Sequence, residues 1–237
     1  MVTKTKLIIA LIIILASKKS YSQCFLEETD ASDFDEVYIS CENQQLDNAF
    51  QTENTSLRIF FGLSTAFYFY DDINSGHGKN ALFTPEIYDA NSPNGTILFG
   101  LGLLENQIST FNRYGAGGAI PFIFAHEMGH AKANQMGWYF GSNKKNELFA
   151  DFCAGVFMQY RQYVVTTDIE SALTTFFQLG NYDFNSPGFH GTPEERVNAV
   201  KAGYNFMVYY KTYYSNINFT DNTLYFGAKN FLNTIPN

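Results

Sequence analysis

At 237 residues the chain is about one and a half times the usual domain length of roughly 150, which points to a single domain or one domain with appendages. Apolar residues make up 46% and aromatic residues 17% of the chain against 16% charged residues, a balance that excludes an intrinsically disordered protein. Lys and Arg number 15 against 23 Asp and Glu, for a formal charge of -8, and no basic run follows residue 20, which excludes a phosphate-tracking groove and with it a nucleic-acid partner.

The N-terminus carries Lys4 and Lys6, then an uninterrupted apolar run from Leu7 to Ala16, then a polar stretch ending Ser20-Tyr21-Ser22-Gln23. This order reads as a secretory signal peptide over residues 1–22, cleaved after Ser22. Such a run covers only about half of a roughly 30 Å hydrocarbon core, so the mature chain is expected to have no transmembrane span. The expected location is secreted or periplasmic, with an uncleaved membrane anchor as the alternative suggested by Lys18 and Lys19. Loss of residues 1–22, which hold four lysines and no acids, takes the charge from -8 to -12. Residues 23–50 form a polar N-terminal segment in which Cys24 and Cys41 can form a disulfide after export, whereas Cys153 falls in an apolar helical run as a core thiol. Residues 51–237 make up the main domain.

Leu57–Phe61 and Ala66–Tyr70 are short, aromatic and bounded by turn residues, and read as strands; Asp71–Asn80, with His77 between two glycines, reads as a loop. Thr96–Leu104 follows Ser92-Pro93-Asn94-Gly95 and reads as a further strand with an open edge. Gly115–Gly118 lacks the rest of a nucleotide-binding loop and reads as room for the substrate or for close packing at the start of the next helix. The period then changes to that of helices: Ile120–Met136, about Asn146–Tyr163, a capped helix from Thr167 to near Gly180, and one opened by the capping box Thr192-Pro193-Glu194-Glu195 and running to about Tyr210. Strands first and helices afterwards predict an α+β fold, a small N-terminal sheet packed on a helical layer.

The chemistry concentrates in His126-Glu127-Met128-Gly129-His130. Two histidines four residues apart on a helix project from one face and can hold one Zn²⁺ at about 2.0–2.1 Å, with Glu127 beside them to act as general base on a water. A catalytic zinc takes a third protein ligand. The metzincin position six residues beyond His130 is Met136, which excludes that arrangement. Glu147, at the start of the next helix, is the natural third ligand, with a helix N-terminal acid as its alternative role. Asp151, one turn later, can orient a ligand histidine or form a surface pair.

The two stretches His126–His130 and Asn146–Asp151 together resemble the gluzincin peptidases. Gly102-Leu103-Leu104, Ala150–Gly155 and His190-Gly191-Thr192-Pro193-Glu194-Glu195-Arg196-Val197 are similar to segments of the bacterial neutral zinc metallopeptidases and of the related prenyl-protease and heat-shock membrane peptidase group. The resemblance covers about residues 96–203 and implies a zincin-like domain without that group's membrane helices. It also implies that His190 points at the metal site to hydrogen-bond an oxyanion. Arg196 either orients His190, pairs with an acid such as Asp151, or is a helix-surface charge. The expected function is thus an exported zinc endopeptidase with one Zn²⁺ per chain held by His126, His130 and Glu147, with Glu127 and His190 catalytic. Its peptide or protein substrate is expected along the strand at Thr96–Leu104. The alternatives are a zinc-containing binding or adhesion module without turnover and a zinc amidase acting on cell-wall peptide.

Overall fold

The computed structural model describes residues 36–73, 79–111, 119–162, 173–174, 190–214 and 218–236. Residues 1–22, Cys24, His77, Gly115–Gly118 and most of the helix expected at 167–180 lie outside the described residues.

Among the described residues the chain runs β1 (Val37–Tyr38), α1 (Gln44–Phe61), β2 (Ala66–Tyr70), β3 (Ala81–Thr84), β4 (Thr96–Gly100), α2 (Leu101–Phe111), α3 (Ile120–Met136), α4 (Asn143–Tyr160), α5 (Pro193–Tyr213) and α6 (Asp221–Leu232). The fold is α+β, with one four-stranded sheet and six helices among the described residues. No described helix is long and apolar enough to cross a membrane.

Leu57–Phe61, expected as a strand, is instead the end of α1. Asn43 caps that helix by accepting from the backbone of Gln45 and Leu46, and Gly62 ends it in the left-handed conformation at φ 62°. Phe50, Leu57 and Phe61 are all buried, a helical spacing that a five-residue window of aromatic and β-branched residues cannot display.

Sheet order is β1-β2-β4-β3, with β2 parallel to β4 and the outer pairs antiparallel. Ala66–Tyr70 is a strand, as its short aromatic run between turn residues predicts. The segment Thr96–Leu104 is a strand only as far as Gly100, where it passes directly into α2. Helix α2 has no capping residue of its own to mark its start. The Asp72 carboxylate supplies the cap from a distant turn, accepting from Gly102 N at 2.7 Å and Leu103 N at 2.9 Å, and also from Asn80 N at 3.0 Å. A Cβ on Gly100 would fall onto that carboxylate, so the glycine makes room for the cap. The open edge expected for Thr96–Leu104 is also absent. β4 pairs with β2 on one side and β3 on the other, so no peptide can pair with it; the edge strands among the described residues are β1 and β3.

A phenylalanine-rich core joins the sheet to α1 and α3. Phe50 lies 5.0 Å from Phe69 and 5.2 Å from Phe99, ring centre to ring centre, and Phe67 lies 4.7 Å from Phe124. Helix α3 is buried around its whole circumference from Phe122 to Lys132, as expected of a helix crossing a core. Helix α4 packs on α3, and α5 lies against α4 in the most extensive helix contact of the fold. Reciprocal glycines permit that closeness: a Cβ on Gly155 would fall onto the Val200 carbonyl oxygen, and one on Gly203 onto the Phe152 carbonyl oxygen. Cys153 is a buried free thiol in this layer, as expected. The aromatic tail contributes α6, pinned to α3 by the buried Lys132 Nζ at 2.8 Å from Asp221 Oδ1.

Candidate metal centre

Helix α3 begins with Pro121 near its start and ends at Gly137, φ 65°. Within it, His126 and His130 sit one turn apart and turn their Nε2 atoms towards each other at 3.1 Å. Gly129 faces α4, where a Cβ would come within 2.9 Å of the Ala150 Cα, so this glycine sets how near the two helices run.

Helix α4, capped by Ser142, brings Glu147 to the histidines from the facing side. Its Oε2 lies 3.4 Å from His126 Nε2 and its Oε1 3.4 Å from His130 Nε2. The ligand atoms of His126, His130 and Glu147 all lie within 4.8 Å of one another and all three residues are buried, a group that can hold a metal ion. One turn along α4, Asp151 Oδ1 stands 2.8 Å from His126 Nδ1. A proton on Nδ1, facing that carboxylate, would leave the Nε2 lone pair for the centre.

The third contribution comes from α5, whose capping box (Thr192 Oγ1 accepting from Glu195 N, Glu195 Oε2 accepting from Thr192 N) fixes its start. Arg196, on its first turn, donates to both Asp151 oxygens and approaches Glu147 Oε2 at 3.7 Å. Of the three roles open to Arg196, the structure places it against Asp151, with 1% of its surface exposed. His190, just before the helix, brings Nδ1 to 3.2 Å from Glu147 Oε1, off the line of a hydrogen bond.

Glu127 completes the group. Its carboxylate takes a hydrogen bond from the backbone of Phe83 on β3, while its Oε2 has no hydrogen-bond partner. The β3 register explains the Phe83 contact: Gly100 N donates to Asn80 O, so the backbone groups of Phe83, an odd number of residues further on, point away from β4 and towards α3. Sequence reasoning missed β3 and this contact; the run Ala81-Leu82-Phe83-Thr84 between Asn80 and Pro85 is the signal that could have found them.

Burial governs the protonation states. It lowers His130 to about 3 despite the neighbouring Glu147, so the imidazole is neutral and available as a ligand. It raises Glu127 well above the ordinary carboxylate value, outweighing the attraction of His126. Burial also opposes ionisation of Glu147 and Asp151. The His190 and His130 rings nevertheless hold Glu147 well below the usual value, and the charge and hydrogen bonds of Arg196 lower Asp151.

The structure therefore brings together every residue singled out from the sequence for this site: His126, Glu127, His130, Glu147, Asp151, His190 and Arg196. Several of their polar atoms lack protein hydrogen bonds although buried, among them Glu147 Oε2, Glu127 Oε2 and both His190 nitrogens. A convergence of unsatisfied buried polar atoms around the paired imidazoles of His126 and His130 fits a cation. Comparison of the chain with protein-family models, with curated proteins and with solved structures finds no match in any of the three.

Proposed function

We propose that the chain is an exported zinc-dependent endopeptidase of gluzincin type, with one Zn²⁺ held by His126, His130 and Glu147 and a zincin-like arrangement of helices around it. The observation that carries the reading is the size of the ligand triangle. Tetrahedral zinc with bonds of about 2.0–2.1 Å sets ligand–ligand edges of roughly 3.3–3.4 Å. The separations are 3.1 Å between the imidazoles and 3.4 Å from each to the carboxylate. Two nitrogens and one oxygen leave a fourth position open, as catalytic rather than structural zinc does.

When bound, zinc supplies Lewis-acid activation of a water and of a peptide carbonyl. Glu127 accepts the proton of the attacking water and returns it to the leaving amine; its buried setting, which raises its proton affinity, suits both transfers. Phe83 holds that carboxylate in place through its backbone. Asp151 orients His126, and Arg196 orients Asp151. His190 donates a hydrogen bond to the developing negative charge on the substrate oxygen. The substrate is a peptide or protein.

The test is metal analysis of the purified protein together with digestion of a denatured protein mixture, with and without chelator. Zinc near one per chain and chelator-sensitive cleavage that is absent in Glu127→Gln are expected. Zinc retention with no cleavage of any substrate would reduce the site to a non-catalytic one.

A further inference from the structure

We propose that the cavity between the end of α3 and the start of α4 is a side-chain pocket that selects one large apolar or aromatic residue of a peptide; as a specificity pocket it rests on the peptidase reading. His126, His130 and Asn134 follow each other at four-residue intervals, so they share one face of α3, and the pocket continues the metal-facing stripe beyond His130. Its volume is about 280 Å³, and it is lined by His130, Ala133, Asn134, Trp138, Tyr139 and Asn146.

Size and chemistry define the occupant. At about 280 Å³, at the lower end of the range for small-molecule pockets, it has room for one large side chain. Its wall offers an indole, an alanine methyl, two amides and the His130 ring, with no carboxylate, ammonium or guanidinium among them. A charged side chain entering it would lose water and meet only neutral polar groups with no counter-charge, whereas an aromatic or long aliphatic one would gain apolar contact.

The wall is also fixed before any ligand arrives. Trp138 N donates to Ala133 O at 2.9 Å and Gly137 N to Asn134 O at 3.2 Å, the paired bonds of a helix end closed by glycine. The indole packs edge-on to Phe149 at 5.9 Å and against Tyr225 of α6 at 5.0 Å. The Asn146 amide is held by the Phe140 N–H at 3.0 Å. At the mouth, Tyr139 is 65% exposed. A wall set in this way lowers the ordering cost of binding.

Trp138 is the single tryptophan of the chain, so its emission reports directly on the pocket. The full chain is titrated with the N-acetyl amides of Phe, Leu, Ala, Glu and Lys, in chelator and again with zinc. A saturable emission change for Phe and Leu is expected, with binding of Glu and Lys weaker by about tenfold or more. Ala133→Phe, which fills the cavity and leaves the indole in place, should abolish the response. Asn134→Arg, on the exposed rim, should raise the response to Glu relative to Phe, and it keeps the test open if Ala133→Phe does not fold. Equal responses to charged and aromatic ligands, no saturation, or a full response to Phe in folded Ala133→Phe would overturn the pocket. Selective emission changes without cleavage of any peptide would leave the pocket standing and remove the peptidase reading. Cleavage without residue preference and without emission changes would do the reverse.

Discussion

Arg196 grips Asp151 through two parallel hydrogen bonds, Nε to Oδ2 at 2.8 Å and Nη2 to Oδ1 at 2.7 Å, with both side chains out of contact with solvent. Asp151 Oδ1 in turn stands 2.8 Å from His126 Nδ1. The guanidinium on α5 therefore fixes the carboxylate on α4 that fixes the imidazole on α3, and the ligand geometry depends on how three helices dock.

Arg196→Lys is expected to lower metal affinity by about 10–100-fold, the usual effect of losing a group that orients a ligand, because an ammonium cannot span both carboxylate oxygens. Arg196→Met should cost stability of about 3–5 kcal/mol by leaving Asp151 as an unpaired buried charge. A competitive chelator titration and urea unfolding measure the two effects. Unchanged metal affinity in Arg196→Lys would detach the pair from the site.

Replacing either His126 or His130 by Ala should abolish stoichiometric metal binding, and Glu147→Gln should weaken it strongly by removing the anionic member of the triangle. His190→Ala should keep the metal and slow turnover by about 10²–10³, the cost of one oxyanion donor. Loss of metal in His190→Ala would make His190 a ligand and displace the role given to it here.

The metal-free protein should be acid-sensitive in a defined window. Unfolded His130 takes a proton near 6.5 and folded His130 only near 3, so between these values the unfolded chain binds a proton that the folded one does not. Stability then falls as pH drops from about 6.5 to about 3. Glu147 and Asp151, both lowered, lose stability in the same direction on acidification. Glu127 has the opposite sign: its raised value means that folding becomes more costly as pH rises above about 4.5. Thermal melts in chelator should accordingly show Glu127→Gln more stable than the parent, by a margin that grows from pH 5 to pH 7. A constant margin, or a margin that shrinks, would contradict the buried setting of Glu127.

Gly155→Ala and Gly203→Ala should each destabilise the protein by about 1–3 kcal/mol or more, because the new methyl meets a backbone carbonyl that no rotamer change can move. The gain in helix propensity, about 1 kcal/mol, offsets only part of this. Both should also weaken metal binding, since the same crossing carries Arg196 to Asp151. Stability close to the parent in chemical unfolding would mean that α4 and α5 separate easily.

The centre was more legible in the sequence than the sheet. His126 and His130 are fixed by helical period, Glu147 and Asp151 repeat that spacing on the next helix, and Thr192-Pro193-Glu194-Glu195 marks the start of α5 by local chemistry alone. Those signals need no knowledge of tertiary contacts. Leu57–Phe61 misled because a short aromatic run satisfies the strand pattern while a distant Asn43 and an adjacent Gly62 define the helix. The strand at Thr96 was read four residues too long because the cap of α2 comes from Asp72, nearly thirty positions upstream, and leaves no mark at Leu101. Arg196 had three readings in sequence, and only the packing of α5 on α4 decided among them.

Asp72 has one further consequence. Its carboxylate holds Asn80, at the entry to β3, together with the first turn of α2, at the exit of β4, and β3 is the strand whose Phe83 backbone steadies Glu127. A loosened Asp72 would therefore let β3 drift and carry the proton acceptor out of alignment while His126, His130 and Glu147 still bound their ion. Scored on turnover alone, Asp72→Ala would be indistinguishable from Glu127→Gln, and a mutational screen would enrol among the acids of the reaction a residue whose task is alignment.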